Sequence, residues 1–204
     1  MAALPSVVVF DLGGVLVDWN PRHLYRKLFE DTAEMEDFLA NICTAEWNLQ
    51  QDAGRSFAEA CAQLKIEYPD KARMIDAWFE RFDEMIAGPI TGTVDILAEL
   101  RERRLPIYAL SNWSAETFPF AQKRFEFLRW FRAIFLSAEV RLVKPDPRIF
   151  TCFCERFALR PEQIVFIDDL QHNVEAARKS GMHSIQFRDP GSLREELLQL
   201  KLLE

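Results

Sequence analysis

Short apolar runs along the chain predict its strands. Residues 7–10 read VVVF, a run without polar alternation that is typical of a strand buried on both faces of a parallel sheet. Further runs follow at intervals in the second half of the chain. The predicted strands cover residues 7–10, 106–110, 133–136, 164–167 and 184–187.

Between these strands, apolar residues recur three or four positions apart, which predicts amphipathic helices. From Thr93 onward, strand and helix alternate strictly. Such alternation predicts parallel pairing with right-handed crossovers, and therefore an α/β fold with a parallel sheet sandwiched by helices. The predicted helices cover residues 94–100, 116–125, 173–180 and 192–203, with another opened by residues 144–147.

The segment from residue 18 to residue 88 follows a different pattern, because it contains helical spacing and no strand pattern. Its helices are predicted near residues 23–29, 32–42, 57–64 and 74–85, and Gly88 and Pro89 end the last one. We therefore expect a helical cap at 18–88, inserted into a core formed by residues 1–17 and 89–204.

Composition and charge narrow the functional classes. The formal net charge of −7 argues against nucleic acid as a partner. No apolar run approaches the ~20 residues of a membrane span, so no membrane partner is expected. The four cysteines show no metal-binding spacing, and no secretory signal is visible, which favours a cytoplasmic location.

The leucine-rich last helix is expected to pack on the sheet, and the chain could be a monomer or a homodimer.

Polar residues follow the predicted strands at the points where a parallel sheet binds ligands. If the strands are parallel, these residues converge on one edge of the sheet. They are Asp11, Ser111, Asn112, Asp168 and Asp169, with Lys144 at the start of the helix before the fourth core strand.

Three carboxylates at one sheet edge repel one another unless a cation is present. Mg²⁺ is the expected ion, held by Asp11, Asp169 and the carbonyl of Gly13, with Asp168 as a ligand or directly behind one. Gly14 allows the backbone to approach a ligand closely.

The remaining polar groups of this edge are hydrogen-bond donors. Ser111, Asn112 and Lys144 together with a metal describe a phosphate site. Asp11 could be a metal ligand only, or a ligand through one oxygen and a nucleophile through the other.

Four segments carrying these residues resemble the motifs of the haloacid dehalogenase-like hydrolase superfamily. They are residues 10–16 (FDLGGVL), 110–112 (LSN), 143–145 (VKP) and 166–169 (FIDD), the last with Asn173 following. The resemblance is greatest to small sugar-phosphate phosphatases of the glucose-1-phosphate type. It implies a Rossmann-like core with a C1-type cap and Mg²⁺-dependent hydrolysis of a small phosphorylated metabolite. In that reaction, Asp11 forms an aspartyl-phosphate intermediate and Lys144 is the second catalytic residue.

One position departs from the pattern of the superfamily. Most of its phosphatases carry a second aspartate, the general acid and base, where this chain has Gly13. Loss of such a catalyst typically costs ~10²–10⁴-fold in rate. Candidates for a substitute are Asp18, His23, Asp52 and His172, although a solvated surface position is the simpler expectation for each.

Two other functions remain open. A 2-haloacid dehalogenase would use the same aspartate without a metal, and the Asp168–Asp169 pair argues against it. A non-catalytic phosphate-binding module is the third hypothesis.

In the cap and its surroundings, Trp19 or Trp47 is expected to line the substrate pocket, together with Trp113 after the second motif.

Overall fold

The computed structural model describes residues 4–204, which form an α/β fold around a five-stranded parallel sheet. The strands of this sheet are paired in the order β5-β4-β1-β6-β7. The strands of the whole chain are β1 Val7–Phe10, β2 Val17–Trp19, β3 Ile86–Pro89, β4 Ile107–Ser111, β5 Ala133–Leu136, β6 Ile164–Asp168 and β7 His183–Gln186. The parallel sheet predicted from the apolar runs is confirmed, and each predicted strand lies within one residue of an observed one.

Helices cover both faces of the sheet. Alternate residues of β1 point to opposite faces: Val8 and Phe10 belong to one buried apolar cluster, whereas Val7 and Val9 belong to the other. The helices are α1 Arg22–Tyr25, α2 Thr32–Asn41, α3 Ala45–Asp52, α4 Phe57–Glu67, α5 Ala72–Glu80, α6 Thr91–Glu102, α7 Phe118–Arg124, α8 Ser137–Val140, α9 Pro147–Phe157, α10 Gln171–Lys179 and α11 Pro190–Gln199. The first cluster contains side chains of α6, α7 and α11, and the second contains side chains of α9 and α10.

The segment predicted to be wholly helical contains parts of two strands. β2 and β3 pair antiparallel, with Val17 opposite Pro89 and Asp18 opposite Gly88. The prediction of no strand in this segment was therefore wrong. The pattern was invisible because both strands are very short and β3 contains glycine and proline, which are depleted in strands.

Helix α3 was also missed by the sequence reading. Its buried positions include the polar residues Asn48, Gln51 and Asp52 beside Trp47, so its inner face carries little apolar periodicity. Thr44 caps the helix, since its Oγ1 accepts a hydrogen bond from the N–H of Trp47 at 3.0 Å. Tertiary contacts rather than an apolar stripe hold this helix in place.

Helices α1 and α3 pack against Trp78 of α5. Its ring lies 5.4 Å from that of Trp47 and 5.9 Å from that of Tyr25. These side chains belong to the same buried cluster as Val8 and Phe10 of the sheet. The division into a core and a cap at residues 18–88 stays a prediction, and residues 1–3 of the predicted core lie outside the described residues.

The last helix ends earlier than predicted, at Gln199 instead of residue 203. Leu193 and Leu197 are buried against the sheet side, as expected, while Leu202 and Leu203 are buried beyond the helix end. All four cysteines are free thiols. Within residues 4–204, no helix has both the length and the apolar character needed to cross a membrane.

Candidate active site

The carboxyl ends of three adjacent strands bring the predicted site residues together. Asp11 follows β1 at the centre of the sheet, Ser111 ends β4 on one side, and Asp168 ends β6 on the other. Ser111 Oγ donates a hydrogen bond to Asp11 Oδ1 at 2.7 Å, and the N–H of Leu12 donates to the same oxygen at 2.7 Å. Asp11 is therefore oriented from two sides by the strand ends that the sequence identified.

Lys144 is the buried cation of the site, with about 1% of its surface exposed. Its Nζ lies 3.0 Å from Asp11 Oδ2 and 2.7 Å from Asp168 Oδ2, and it donates to the carbonyl of Leu110 at 3.0 Å. Asn112 positions this residue: its Nδ2 donates to the carbonyl of Lys144, and its Oδ1 accepts from the N–H of Lys144. The amide predicted to hold phosphate is thus occupied with fixing the lysine, although Asn112 also lines the cleft.

Asp168 and Asp169 have different surroundings. Asp168 is fully buried and accepts hydrogen bonds from Lys144 Nζ, from the N–H of Leu170 at 2.9 Å and from Asn173 Nδ2 at 3.0 Å. Asp169 is half-buried and lines the open cleft beside Asp11. Asp169 is therefore the more accessible carboxylate, and Asp168 fixes the lysine and the turn that follows β6.

The ionisation of the site reflects its excess of negative charge. Burial raises the pKa of Asp11 to about 7, although the ammonium of Lys144 opposes this change. Burial and the neighbouring Asp168 raise the pKa of Asp169 above its ordinary value. Burial alone would lower the pKa of Lys144, but Asp11 and Asp168 outweigh it and keep the pKa raised. Lys144 therefore remains an ammonium, and one positive charge faces three carboxyl groups.

This donor set fits a divalent cation. Asp11, Asp168 and Asp169 each offer a carboxylate oxygen, and these oxygens lie within 4.8 Å of one another. The buried Oδ1 of Asn173, which borders the same cleft, has no hydrogen-bond partner within residues 4–204. Hard oxygen donors such as these carboxylates are the ligands that Mg²⁺ prefers. Gly13 also lines the cleft, as its predicted role as a carbonyl ligand requires.

Position 14 requires a glycine because the carboxylate of Asp169 lies very close to its backbone. The residue has φ of +73°, and a Cβ at this position would lie 2.5 Å from Asp169 Oδ2. Glycine adopts this left-handed conformation without strain and leaves space for the carboxylate. The predicted contact of Gly14 with phosphate stays a prediction, whereas its packing against Asp169 is observed.

Comparison with known proteins identifies the family. A model of the family described as "Haloacid dehalogenase-like hydrolase" matches residues 8–187. The chain belongs to the haloacid dehalogenase-like hydrolases. It is 27% identical to "Sesquiterpene phosphatase astK" of Aspergillus oryzae, over 96% of each protein. It is 26% identical to "Acyl-CoA dehydrogenase family member 10" of Mus musculus, with 93% of this chain covered, but spans only 18% of that protein.

A solved structure agrees with this membership of the haloacid dehalogenase-like hydrolases. The HAD family enzyme bt-2542 from Bacteroides thetaiotaomicron, in complex with magnesium and inorganic phosphate, superposes with a TM-score of 0.70. The two chains are 25% identical, and the match covers 91% of this chain and 95% of that one.

A smaller cavity of about 60 Å³ adjoins the cleft of this haloacid dehalogenase-like hydrolase and shares Gly13, Asp52 and Asn112 with it. Trp19, Trp113 and Phe82 supply its aromatic walls. Trp47 does not line it and packs against Trp78 and Phe57 instead. Phe82 is not among the residues that the sequence predicts to line the pocket, because an aromatic residue at helical spacing is equally typical of a buried core position.

The four candidates for a substitute acid differ in position. Asp18 is exposed and pairs with the half-buried His23 at 3.1 Å, and His172 is exposed. Asp52 is buried, with about 8% of its surface exposed, and lines both the smaller cavity and the open cleft. The expectation of a surface position was therefore wrong for Asp52, because the helix that carries it was not recognised.

Proposed function

We propose that this haloacid dehalogenase-like hydrolase is a Mg²⁺-dependent phosphatase that acts on a small phosphate monoester through an aspartyl-phosphate on Asp11. The observation that carries the proposal is the cluster of three carboxylates within 4.8 Å around a buried lysine, at the floor of an open cleft. A metal-free dehalogenase has no use for such a cluster. The matching relative named a phosphatase and the solved magnesium–phosphate complex support the same function.

The residues divide the work of the first step. Asp11 lies on the cleft floor and attacks phosphorus, forming a phosphoryl–carboxylate bond as the bond to the leaving oxygen breaks. Lys144 offsets the negative charge of Asp11 and of the incoming phosphoryl group. When bound to Asp11 and Asp169, Mg²⁺ supplies further charge neutralisation for the phosphoryl oxygens. Ser111 keeps the attacking carboxylate in orientation through its hydrogen bond.

The lining of the cleft favours an uncharged, largely apolar leaving group. Trp19, Leu49 and Leu170 border the cleft above the carboxylates. Apart from Lys144, the cation among the described lining residues is Arg22, whose Nε already donates to Glu36 Oε1 at 2.7 Å. A second anionic group on the substrate therefore meets no free positive charge, which favours a substrate with a single phosphate group. We infer that the apolar side chains of Trp19, Leu49 and Leu170 favour an apolar alcohol as the leaving group, ahead of a sugar such as that of glucose 1-phosphate.

Hydrolysis assays separate the candidate functions. Purified protein is assayed with p-nitrophenyl phosphate and with 2-chloropropionate, each in Mg²⁺ and in EDTA. We expect phosphate release that requires Mg²⁺ and is abolished, by ~10³-fold or more, in Asp11→Asn. Chloride release that survives EDTA would instead establish a dehalogenase, and inactivity on both substrates would leave a binding module.

A substrate panel then tests the leaving-group class. Hexyl phosphate and farnesyl phosphate are compared with glucose 1-phosphate and a nucleoside monophosphate. We expect the highest kcat/KM for the apolar esters. A preference for glucose 1-phosphate would overturn the inferred class while leaving phosphatase activity itself in place.

A further inference from the structure

The inference that follows rests on the proposed function. The first step of that reaction needs a proton donor for the leaving oxygen, which none of the residues assigned above supplies. An alcohol leaves phosphorus poorly as an alkoxide, so a positioned acid that protonates the leaving oxygen accelerates the step by ~10²–10⁴-fold. Gly13 has no side chain, Asp11 is the nucleophile, and Asp168 accepts three hydrogen bonds. We propose that Asp52 is the general acid and base of this enzyme.

The position of Asp52 meets the first requirement for that role. It is the last residue of α3, and it lines the open cleft together with Asp11, Ser111 and Lys144. It also lines the smaller cavity, which it shares with Gly13, Trp19 and Trp113. Asp52 therefore borders both the cleft that holds Asp11 and the aromatic cavity that adjoins it.

The side chain of Asp52 is held in place. Asn48 Nδ2 donates to Asp52 Oδ2 at 3.0 Å, and Asn48 Oδ1 accepts from Trp78 Nε1 at 3.1 Å. The carbonyl of Asp52 accepts from Ser137 Oγ, which in turn accepts from the N–H of Trp113 at 3.0 Å. The inserted helix is thus tied to the loop after β4 at the residue that faces the cleft.

The ionisation of Asp52 suits proton transfer near neutral pH. Burial raises its pKa to about 7, and the charge of Asp11 adds to the increase, while the main-chain amide of Ser114 and the ammonium of Lys144 oppose it. A carboxyl group with this pKa gives up a proton and takes one back at comparable cost.

The competing acids lie elsewhere. Asp18, His23 and His172 are absent from the described lining of both the cleft and the cavity. Asp169 does line the cleft, but its carboxylate is part of the cluster assigned to the metal. Among the described lining residues, Asp52 is therefore the carboxyl group without another assigned task.

Asp52 gives up one proton in the first step of the reaction and regains one in the second, so the protons balance. In the first step the P–O ester bond breaks, Asp11 gains the phosphoryl group, and the Asp52 carboxyl gives its proton to the leaving oxygen, so that a neutral alcohol departs. In the second step a water molecule attacks phosphorus, the bond to Asp11 breaks, and the Asp52 carboxylate takes the proton of that water. Inorganic phosphate leaves, and both side chains return to their starting states.

Leaving-group dependence tests the assignment. We compare kcat/KM of wild type and Asp52→Asn for p-nitrophenyl phosphate, whose leaving group needs no proton, and for hexyl phosphate, whose leaving group does. We expect a loss of ~10²-fold or more with hexyl phosphate and under ~10-fold with p-nitrophenyl phosphate. Because the base is also missing, p-nitrophenolate should appear as a burst of one equivalent per enzyme before slow turnover.

Three variants make the test specific. Asp18→Asn removes an exposed aspartate of the same segment and should leave both rates unchanged. Adding Gly13→Asp to Asp52→Asn should recover hexyl phosphate hydrolysis, since Gly13 borders the same cavity and a Cβ there meets only Trp19 Cβ at 4.0 Å. If circular dichroism shows that Asp52→Asn does not fold, Asp52→Ser replaces it.

The outcomes distinguish this assignment from the proposed function. Equal losses on the two esters, or no loss on either, would overturn the role of Asp52 while wild-type hydrolysis kept the phosphatase in place. A wild-type enzyme that hydrolyses neither ester in Mg²⁺ would instead refute the phosphatase itself.

Discussion

Two aspartates of the site have raised pKa values for related reasons. Asp11 and Asp52 both have pKa values near 7, chiefly because burial disfavours the charged carboxylate. Asp11 is compensated by Lys144 at 3.0 Å, whereas Asp52 accepts a hydrogen bond from Asn48 and forms no ion pair among the described residues. The charged form of Asp52 therefore costs stability, which a neutral replacement of the same shape should relieve.

This cost gives a pH dependence of stability. The folded-state pKa of Asp52, about 7, lies above its ordinary value of 3.8, so the folded state binds more protons between these values and stability falls as pH rises. Between pH 5 and 8, wild type should lose ~3 kcal/mol of unfolding free energy relative to Asp52→Asn, because the change spans about two pKa units at ~1.4 kcal/mol each. Urea unfolding in EDTA at both pH values measures the difference.

A matched control isolates this effect. Glu46→Gln changes an exposed carboxylate of the same helix, α3, and its stability relative to wild type should differ between the two pH values by no more than a few tenths of a kcal/mol. A constant difference between wild type and Asp52→Asn at both pH values would show that Asp52 ionises normally in the folded protein.

At the scale of elements, the turn after β1 sets the geometry of the site. Its Gly14 packs directly against the carboxylate of Asp169, at the end of the neighbouring strand β6. A side chain at position 14 would therefore displace the carboxylate of Asp169, which is a predicted metal ligand at the end of β6.

Replacing this glycine should weaken metal binding. In Gly14→Ala, the Cβ would lie 2.5 Å from Asp169 Oδ2 at a φ of +73°, so either the carboxylate or the turn moves. We expect the Mg²⁺ concentration for half-maximal stabilisation to rise ~10-fold or more, in the range reported for disturbed metal surroundings. Tm measured against Mg²⁺ concentration gives this value.

Gly88 offers the comparison for this variant. It lies on β3, and a Cβ there meets no atom within 4 Å. Gly88→Ala should leave the Mg²⁺ titration unchanged. An unaltered titration in Gly14→Ala would mean that Asp169 does not hold the metal.

The sequence predicts some strands and helices and not others, for physical reasons. β1, β4 and β6 are buried on both faces, so their continuous apolar runs predict strands without any knowledge of the neighbouring strands. β2 and β3 form only through pairing with each other, across a long stretch of chain. Helix α3 buries polar side chains that are satisfied by tertiary contacts, and such burial leaves no apolar periodicity in the sequence.

At the scale of the whole molecule, one buried apolar cluster runs from the sheet into the helices between β2 and β3. Phe10 of β1, Leu97 of α6 and Trp78 of α5 all belong to it. Because these helices and the sheet share this cluster, neither can unfold without exposing apolar surface of the other.

The shared cluster predicts cooperative unfolding. Calorimetry in EDTA should give one thermal transition, with the calorimetric enthalpy equal to the van't Hoff enthalpy. Trp78→Phe, at the aromatic junction of the helices, should lower Tm without splitting the peak. Two resolved transitions in either protein would show that the helical insertion unfolds independently.

The sequence by itself determined the parallel sheet, the residues at its carboxyl edge and the kind of cation they could hold. Buried strands and their terminal polar residues are local signals, and the parallel arrangement dictates where those residues meet. Only the tertiary structure decided how the polar groups share their hydrogen bonds, with Asn112 and Asp168 holding Lys144.

The tertiary structure also decided that Asp52, far from Asp11 in sequence, faces the same cleft. Burial and the neighbours of a carboxyl group depend on segments that are distant along the chain. No local pattern encodes them, and they are what distinguish a surface aspartate from one placed to transfer a proton.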